Sequence, residues 1–500
     1  MKRKHILHTL EAILFCAVLV FCIAAATDVL ERKQSISRFK LFFDKAQEHD
    51  VLFVGDSHMV NAVFPMELWE KYGITSYNIS SYGNTLPVSY WTLVNALDYA
   101  SPRVVVVGIK DVDKNIKLTG SSSDAHTAFD CYPLSLNKIR AIEDLMNDPE
   151  AMDDVGNRYM DMKWEYYFTL GKYHSRWSEL NAADFQIVPN VQKGGDMAVD
   201  VAVPDDYDLI DTNRAVDEYG WGFEYLRRMI EECEKRKIEV LLTFLPYPSD
   251  ADDQMAANTV GAIAEEYGVG FIDFVSMDQV VDYSTDCYDP SSHLNASGAQ
   301  KVTDYLGRYL MDHYDLQDRR GDALCSGWNE DYQAYLAYKS GQVRAQEKLE
   351  NLLMLLHDDS YSTCIAIRPQ ADLYWNDQQL TLMHNIAREH VYEEDAFAKW
   401  SNSMFPLAGL EDALWLDEAY FLMADRKTGE IREYAGNEES AQLNTSFGTV
   451  IYDAGNALQP MRLEKGGTVT AEFGPWQEGK DVQILVIDRD TGETVTCVQM

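Results

Sequence analysis

The sequence is short of positive charge. Only 43 lysines and arginines stand against 81 aspartates and glutamates, and the formal net charge is −38. Nucleic-acid binding depends on basic side chains that release counterions from phosphates, so no nucleic-acid partner is expected. Such an acidic surface also repels bare anionic polymers, and a neutral substrate suits it better.

The sequence also lacks the short motifs of cofactor and metal sites. It has no P-loop, no GxGxxG, no HExxH, no CxxC and no zinc-type spacing of cysteines, so we expect neither a cofactor nor a metal. Cys16 and Cys22 lie in the apolar N-terminal segment, and six cysteines follow it. Two alternatives stay open for those six, namely buried thiols or one or two disulfides.

Residues 1–27 carry a basic flank, Lys2 to Lys4, before an apolar run over 12–26. This pattern predicts export, with the N-terminus inside and the bulk of the chain outside the cell membrane. A single-pass signal anchor is expected. The alternative is a signal peptide removed after the small residues at 24–26, which would leave a secreted protein.

Apolar strands alternate with helical periodicity between residues 51 and 315, beginning with VLFV at 51–54 and including the β-branched run RVVVVGI at 103–109. Continuous runs of this kind are typical of strands buried on both faces. The alternation predicts an α/β domain over 28–320 with a doubly wound, mostly parallel sheet. The carboxyl ends of its strands should then meet at one rim.

Two regions depart from that rhythm. Residues 112–210 are rich in aromatic and polar side chains, and we interpret them as an insertion that forms a wall over the rim. Residues 325–500 are predicted to form a separate C-terminal α/β domain of unknown role. There, YFLMADRKTGEIREY and ILVIDRDTGETVTCV predict two hairpins in which Gly429 and Gly492 supply the positive φ.

A serine stands where the first strand should turn into a helix, in VLFVGDSHMV at 51–60. Ser57 is therefore a candidate nucleophile at the rim, although Asp and Ser are also ordinary helix caps. His293, just before the last helix of the sheet domain, should open on the same rim. With Asp289 close by to orient its ring, His293 is the candidate general base.

These segments resemble the SGNH/GDSL hydrolase superfamily over about residues 45–315. Gly55-Asp56-Ser57 matches the block that carries the nucleophile, Gly83 matches the glycine whose backbone N–H serves the oxyanion hole, and His293 matches the base. The resemblance implies a flavodoxin-like fold and a Ser-His-Asp acyl-enzyme mechanism. The Ser57 backbone N–H is then a second oxyanion donor.

Two departures from the family pattern stand out. The family's aspartate lies three residues before its histidine, but here that position is Pro290; Asp289 is four residues before, and Asp286 is its rival. The family's third block, Gly-x-Asn-Asp, is Gly-Ile-Lys-Asp at 108–111, so the asparagine that donates to the oxyanion is missing. Either Asn84 or Lys110 could take its place.

Within the superfamily, such variants resemble the membrane-anchored branch that modifies cell-surface polymers, similar to the alanylation and alginate-acetylation factors. We therefore expect an exported serine esterase or O-acyltransferase acting on acyl, chiefly acetyl, esters of a cell-surface polysaccharide, with polymer-assembly proteins as further partners. The alternative is a catalytically impaired protein that binds glycan or scaffolds polymer assembly. His58 and Lys110 are expected to shape the substrate pocket. Trp177, in YHSRW, suits sugar stacking or a structural aromatic cluster.

Overall fold

A computed structural model describes residues 2–31, 39, 42–43, 45–119, 122–147, 157–186, 190–204, 212–217, 220–277, 280–291, 293–369, 375–392, 400–404 and 407–500. The chain begins with helix α1, Lys2–Leu30. Its segment His8–Leu30 is long and apolar enough to cross a membrane, a property that signal sequences share. The expected N-terminal apolar helix is thus present, and whether it is an anchor or is cleaved stays a prediction.

Five parallel strands form the central sheet in the order β2-β1-β3-β4-β5. The strands are β1 Val51–Val54, β2 Ser76–Asn78, β3 Val104–Gly108, β4 Glu239–Phe244 and β5 Gly270–Asp273. Each was predicted from its apolar run. The chain passes from β1 to β2 on one side and then to β3 on the other, so a crevice opens at the carboxyl ends of these strands.

Helices cover both faces of this sheet because successive strand side chains point to opposite sides. Val51 and Phe53 pack against the first layer of helices, and Leu52 and Val54 pack against the second. The first layer comprises α2 Ser57–Ala62, α3 Pro65–Tyr72 and α11 Ala296–His313, and the second comprises α4 Leu86–Ala96, α9 Trp221–Arg236 and α10 Ala251–Tyr267. The predicted parallel α/β layering is confirmed.

The described part of the predicted insertion contains four helices, and its stretches 112–119 and 190–204 are not helical. It contains α5 Ser122–Phe129, α6 Leu136–Met146, α7 Asn157–Tyr167 and α8 Leu170–Tyr173, followed by 3-10 turns at His174–Ser178 and Ala182–Phe185. These helices pack on α4 and α9 around a small core of their own. The Asp144 carboxylate secures the contact, accepting hydrogen bonds from Trp91 at 2.7 Å and from the Tyr225 hydroxyl.

The C-terminal region combines helices with antiparallel sheets. Its helices are α12 Ser326–Arg344, α13 Leu349–Leu355, α14 Asp377–Ile386 and α15 Ala408–Trp415. Its strands are β6 Tyr361–Ile367, β7 Arg388–Tyr392, β8 Trp400–Met404, β9 Tyr420–Asp425, β10 Glu430–Ala435, β11 Ser440–Thr445, β12 Gly448–Asp453, β13 Met461–Lys465, β14 Thr468–Glu472, β15 Val482–Asp488 and β16 Thr494–Gln499. They form sheets in the orders β10-β9-β6-β15-β16, β11-β12-β13-β14 and β7-β8.

Both hairpins predicted from the repeated Asp-Arg-x-Thr-Gly-Glu sequence are confirmed. Gly429 joins β9 to β10 with φ 73°, and Gly492 joins β15 to β16 with φ 69°. Left-handed backbone of this kind favours glycine because it has no Cβ. The structure has all eight cysteines as free thiols; of the six beyond α1, four are buried, Cys131 is partly buried and Cys497 is exposed.

A buried lysine joins the C-terminal region to the sheet domain. Lys339 on α12 lies 2.8 Å from Glu67 on α3 and 2.5 Å from Asp358 ahead of β6, and all three side chains are less than a tenth exposed. Burial alone would raise the pKa of Asp358, but the Lys339 ammonium holds it below its usual range. The hydrophobic core is also continuous across this junction.

Because removing one partner leaves the others charged and buried, we expect Lys339→Ala to lower the free energy of unfolding by about 3–5 kcal/mol. Lys348→Ala is the matched control, since Lys348 pairs with Asp200 at 3.1 Å in an exposed bridge. That variant should change stability by less than about 1 kcal/mol. Urea unfolding of the full-length protein in detergent, followed by circular dichroism, measures both. Equal, small effects would contradict the stabilising role of the junction.

Candidate active site

The turn after β1 places Ser57 at the carboxyl rim of the sheet. The strand ends at Val54, the Asp56 carboxylate caps α2 by accepting from the His58 backbone N–H at 3.1 Å, and Ser57 is the first residue of that helix. Gly55 suits this position because an added Cβ would lie 3.1 Å from Cβ of Met59 and 3.2 Å from the Gly108 backbone at the end of β3, closer than most such contacts. The ends of the two strands therefore approach closely beside the serine.

A closed loop before α11 carries His293. Cys287 and Leu294 form an antiparallel bridge, and the Tyr288 N–H donates to the His293 carbonyl at 3.0 Å. Asn295 then caps α11 by accepting from two backbone N–H groups. The histidine is thus held at a defined position on a short loop that begins and ends in hydrogen bonds.

The two loops meet at the rim. Nε2 of His293 lies 2.8 Å from Oγ of Ser57, and Nδ1 lies 2.8 Å from Oδ2 of Asp289. With Nδ1 protonated toward the carboxylate, Nε2 is free to accept the hydroxyl proton. This is the arrangement in which a histidine activates a serine and a carboxylate orients the ring.

Asp289, and not Asp286, contacts the imidazole. The second oxygen of Asp289 accepts from the His293 backbone N–H at 3.1 Å, so the carboxylate also closes the turn around Pro290. Asp286 is fully buried elsewhere, in an ion pair with Lys301 at 2.6 Å and a hydrogen bond from Ser297 at 2.9 Å. The extra residue between Asp289 and the histidine is absorbed by this turn.

The environment of His293 favours its neutral form. Burial is the main cause that lowers the pKa of His293, and the nearby His58 adds to it, while Asp289 opposes both. Burial alone would raise the pKa of Asp56, but His58, Lys110 and His293 together lower it to about 2. The site therefore combines a neutral imidazole with an ionised carboxylate near neutral pH.

His58 and Lys110, both predicted to shape a substrate pocket, lie together at this rim. The His58 ring is 4.4 Å from the His293 ring, centroid to centroid, and 96% buried. Nζ of Lys110 lies 3.2 Å from Nε2 of His58 and 4.8 Å from the centre of the Tyr247 ring. The lysine thus lies at the rim, between His58 and Tyr247.

Gly83 and Asn84 follow β2 and reach the same crevice. Gly83 has φ 68°, and an added Cβ would lie 2.5 Å from Oδ2 of Asp124. The Asn84 side-chain amide donates to the Gly55 carbonyl at 3.3 Å. Both residues stand beside Ser57, and their predicted role as oxyanion donors, together with the Ser57 backbone N–H, stays a prediction.

These residues line a cleft of about 320 Å³, a size suited to a small acyl group with part of its carrier. The lining combines apolar side chains with polar and charged ones. The apolar side chains are Leu86, Pro87 and Ile116, and the polar and charged ones include Thr85, Lys110, Asp111, Lys114 and Thr119.

Trp177 does not line this cleft, and its predicted substrate-binding role stays a prediction. It lies in the 3-10 turn His174–Ser178, which contacts α1, and its side chain is 72% exposed. The physical reason is the packing of the insertion. The part that reaches the cleft is the stretch that carries Ile116 and Thr119, whereas the YHSRW segment lies beside the N-terminal helix.

Two residues of the site were missed by sequence reasoning. The Tyr288 ring stacks on the His293 ring at 5.6 Å, and Tyr247 lies against both His58 and Lys110. A signal for Tyr247 was available, because it follows β4 and so belongs to the predicted rim. Tyr288 adjoins Asp289, but only the fold of the loop reveals its stacking.

No protein-family model matches the chain, and no curated protein matches it. Among solved structures, the chain is similar to the crystal structure of a "putative acylhydrolase" from Bacteroides fragilis. The identity is 13%, the TM-score is 0.28, and the match covers 56% of this chain and 99% of that one. A likeness at this level carries no argument about the activity of this chain.

The geometry predicts how the reactivity of Ser57 depends on pH. Because the pKa of His293 lies below its ordinary value of about 6.5, the imidazole stays neutral at lower pH than usual. We expect the rate of fluorophosphonate labelling of Ser57 to fall on acidification with a midpoint below about pH 6.5. Asp289→Asn should slow labelling and move the midpoint further down, since Asp289 raises the pKa of His293.

Asp286→Asn is the control for this experiment. It breaks a buried ion pair and should lower thermal stability while leaving the midpoint in place. A wild-type midpoint at or above about pH 6.5 would contradict the lowered pKa of His293. An equal shift in both variants would contradict the assignment of Asp289 as the partner of His293.

Proposed function

We propose that the chain is a serine ester hydrolase or O-acyltransferase of the SGNH/GDSL type. The observation that carries the proposal is the continuous chain of contacts from Ser57 through His293 to Asp289, with 2.8 Å at each step. Ser57 attacks the acyl carbonyl, and His293 takes its proton and later gives it to the departing alcohol. Asp289 holds the ring in the required tautomer and stabilises the imidazolium that forms.

The backbone N–H groups of Ser57 and Gly83 bind the oxyanion of the tetrahedral intermediate. Lys110 is the best-supported replacement for the family's asparagine. Its ammonium rests on the Tyr247 ring and beside His58, so the positive charge stays close to the reacting centre. The Asn84 amide already donates to the Gly55 carbonyl, which leaves it less free for a ligand. A donor at this position is worth about a hundredfold or more in rate.

The acyl-enzyme then passes its acyl group to water or to a hydroxyl of a second substrate. The two reactions share their first half, and they differ in what reaches the carbonyl of the acyl-Ser57 ester in the second half. A polar cleft with lysine, aspartate and threonine side chains suits a sugar hydroxyl as well as water.

The proposed setting is the outer face of the cell membrane, with α1 as the anchor. Support comes from the apolar segment His8–Leu30 and from the basic residues that precede it. The proposed substrate is an acetylated polysaccharide of the cell surface. A short acyl group fits the size of the cleft, and a neutral glycan is compatible with the net charge of −38.

Ser57→Ala should abolish turnover. Without the nucleophile, we expect kcat/KM for an aryl acetate to fall on the order of 10⁴-fold or more. Ser276→Ala is the matched control, because Ser276 is exposed after β5, and it should retain wild-type activity. Hydrolysis of p-nitrophenyl acetate by the purified full-length protein measures both. Unchanged activity in Ser57→Ala would remove the proposed nucleophile.

The alternative, a glycan-binding protein without turnover, is motivated by the missing asparagine of the third block. We expect the wild-type protein to release acetate from an acetylated polysaccharide, or to transfer acetyl groups to its deacetylated form, and we expect Ser57→Ala to do neither. Mass spectrometry of the polysaccharide reports both reactions. Binding that is equal in both proteins, with no change in acetylation by either, would support the binding protein instead.

A further inference from the structure

The insertion is fastened to the end of the N-terminal helix. The Arg176 guanidinium donates to the Leu30 carbonyl, the last residue of α1, and pairs with Asp184 at 2.8 Å. The Thr169 hydroxyl donates to the Glu31 carboxylate at 3.0 Å. Two separate hydrogen bonds thus fix the segment 164–185 to the end of α1.

The same segment exposes four large aromatic side chains. Trp177 is 72% exposed, Phe185 63%, Trp164 53% and Phe168 45%. An isolated exposed apolar side chain needs no explanation, but four exposed aromatic side chains within one 22-residue segment call for one, because large exposed apolar surface marks interaction sites. We call these four residues the aromatic patch.

Several hydrogen bonds hold the backbone of the segment that contains the aromatic patch. The Asn181 side chain and Asp184 form a reciprocal capping box on the turn Ala182–Phe185. The Tyr173 hydroxyl donates to the buried Asp130 at 2.6 Å, and Asp130 also contacts the His126 ring at 2.9 Å. These hydrogen bonds hold the backbone of the segment that carries the four exposed side chains.

The position of α1 indicates that the membrane surface is the partner of the aromatic patch. At 1.5 Å per residue, the 23 residues of His8–Leu30 extend about 35 Å, slightly more than the roughly 30 Å of a bilayer's hydrocarbon core. If α1 crosses the membrane, Leu30 lies at its outer boundary, and the segment bound to Leu30 lies there too. Tryptophan is enriched at this depth because its ring is apolar and its N–H needs a polar partner.

We propose that the aromatic patch, Trp164, Phe168, Trp177 and Phe185, lies in the headgroup region of the bilayer that α1 crosses, on the extracytoplasmic side. The proposal rests on the membrane anchoring stated above and not on the hydrolase activity. The occupant is the phospholipid interface itself, and a second copy of this chain is the competing occupant.

The test uses the full-length protein added to preformed phosphatidylcholine vesicles, so that the bulk of the chain faces the outer solution. Lipids brominated near the carbonyl end of the acyl chain quench tryptophan at the interface, and iodide quenches tryptophan in water. The contribution of Trp177 is the difference between the wild type and Trp177→Phe. Trp415→Phe is the matched control, because Trp415 is 86% exposed on α15, far along the chain from the insertion.

We expect the shallow brominated lipid to cause about a twofold loss of the Trp177 emission, with little effect of iodide. Trp415 should show the reverse. Emission from Trp177 that iodide quenches and the brominated lipid does not would overturn the proposal. So would protection from both quenchers that is lost on dilution, which would indicate a second copy of the chain.

Carbonate extraction of the same vesicles tests whether α1 anchors the protein in the membrane, separately from where the aromatic patch lies. Release of the protein by carbonate would overturn both the anchoring and the proposal that rests on it. The whole experiment is repeated in Ser57→Ala, where we expect the same quenching. Failure of the quenching test in an active enzyme would overturn the membrane proposal and leave the hydrolase proposal intact. Success of the test in a protein without activity would do the opposite.

Discussion

The candidate site depends on one imidazole ring that joins two loops 236 residues apart in sequence. Such a contact is specific only if the helices that follow the loops are fixed to each other. Thr303 on α11 provides this link, accepting from the Phe64 N–H at 3.0 Å and donating to the Ala62 carbonyl at 3.2 Å, directly after the helix that begins with Ser57. The relative position of nucleophile and base is therefore a consequence of core packing, and the loops themselves need little freedom.

The strands and the hairpin turns could be predicted from the sequence, because there the residue type directly reflects the local surroundings. Valine runs without polar residues were read as strands covered on both faces, and the strand ends then defined the rim for Ser57 and His293. Gly429 and Gly492 were placed correctly because positive φ is a local requirement.

The choice between Asp289 and Asp286 could not be made from the sequence, because it depends on a distant residue. Lys301 on α11 neutralises Asp286 inside the core, and only that pairing removes Asp286 from competition for the histidine. The location of Trp177 could not be predicted from the sequence for a related reason. Its residue type suits both a sugar site and a membrane interface, and the decision depends on Arg176 bonding to the end of α1.

The insertion connects the cleft to the end of α1 through α5, α7 and the 3-10 turn that carries Arg176. On α5, Asp124 lies against Gly83 at the cleft, while His126 stacks on Tyr166 of α7 at 4.0 Å. If the aromatic patch lies at the bilayer, these contacts hold the cleft on the membrane-bound part of the protein. This arrangement favours substrates that are themselves presented at that surface, such as a polysaccharide during export. It also gives a physical reason for an acyltransferase, because a second hydroxyl held near the cleft competes with water for the acyl-Ser57 ester through its high local concentration.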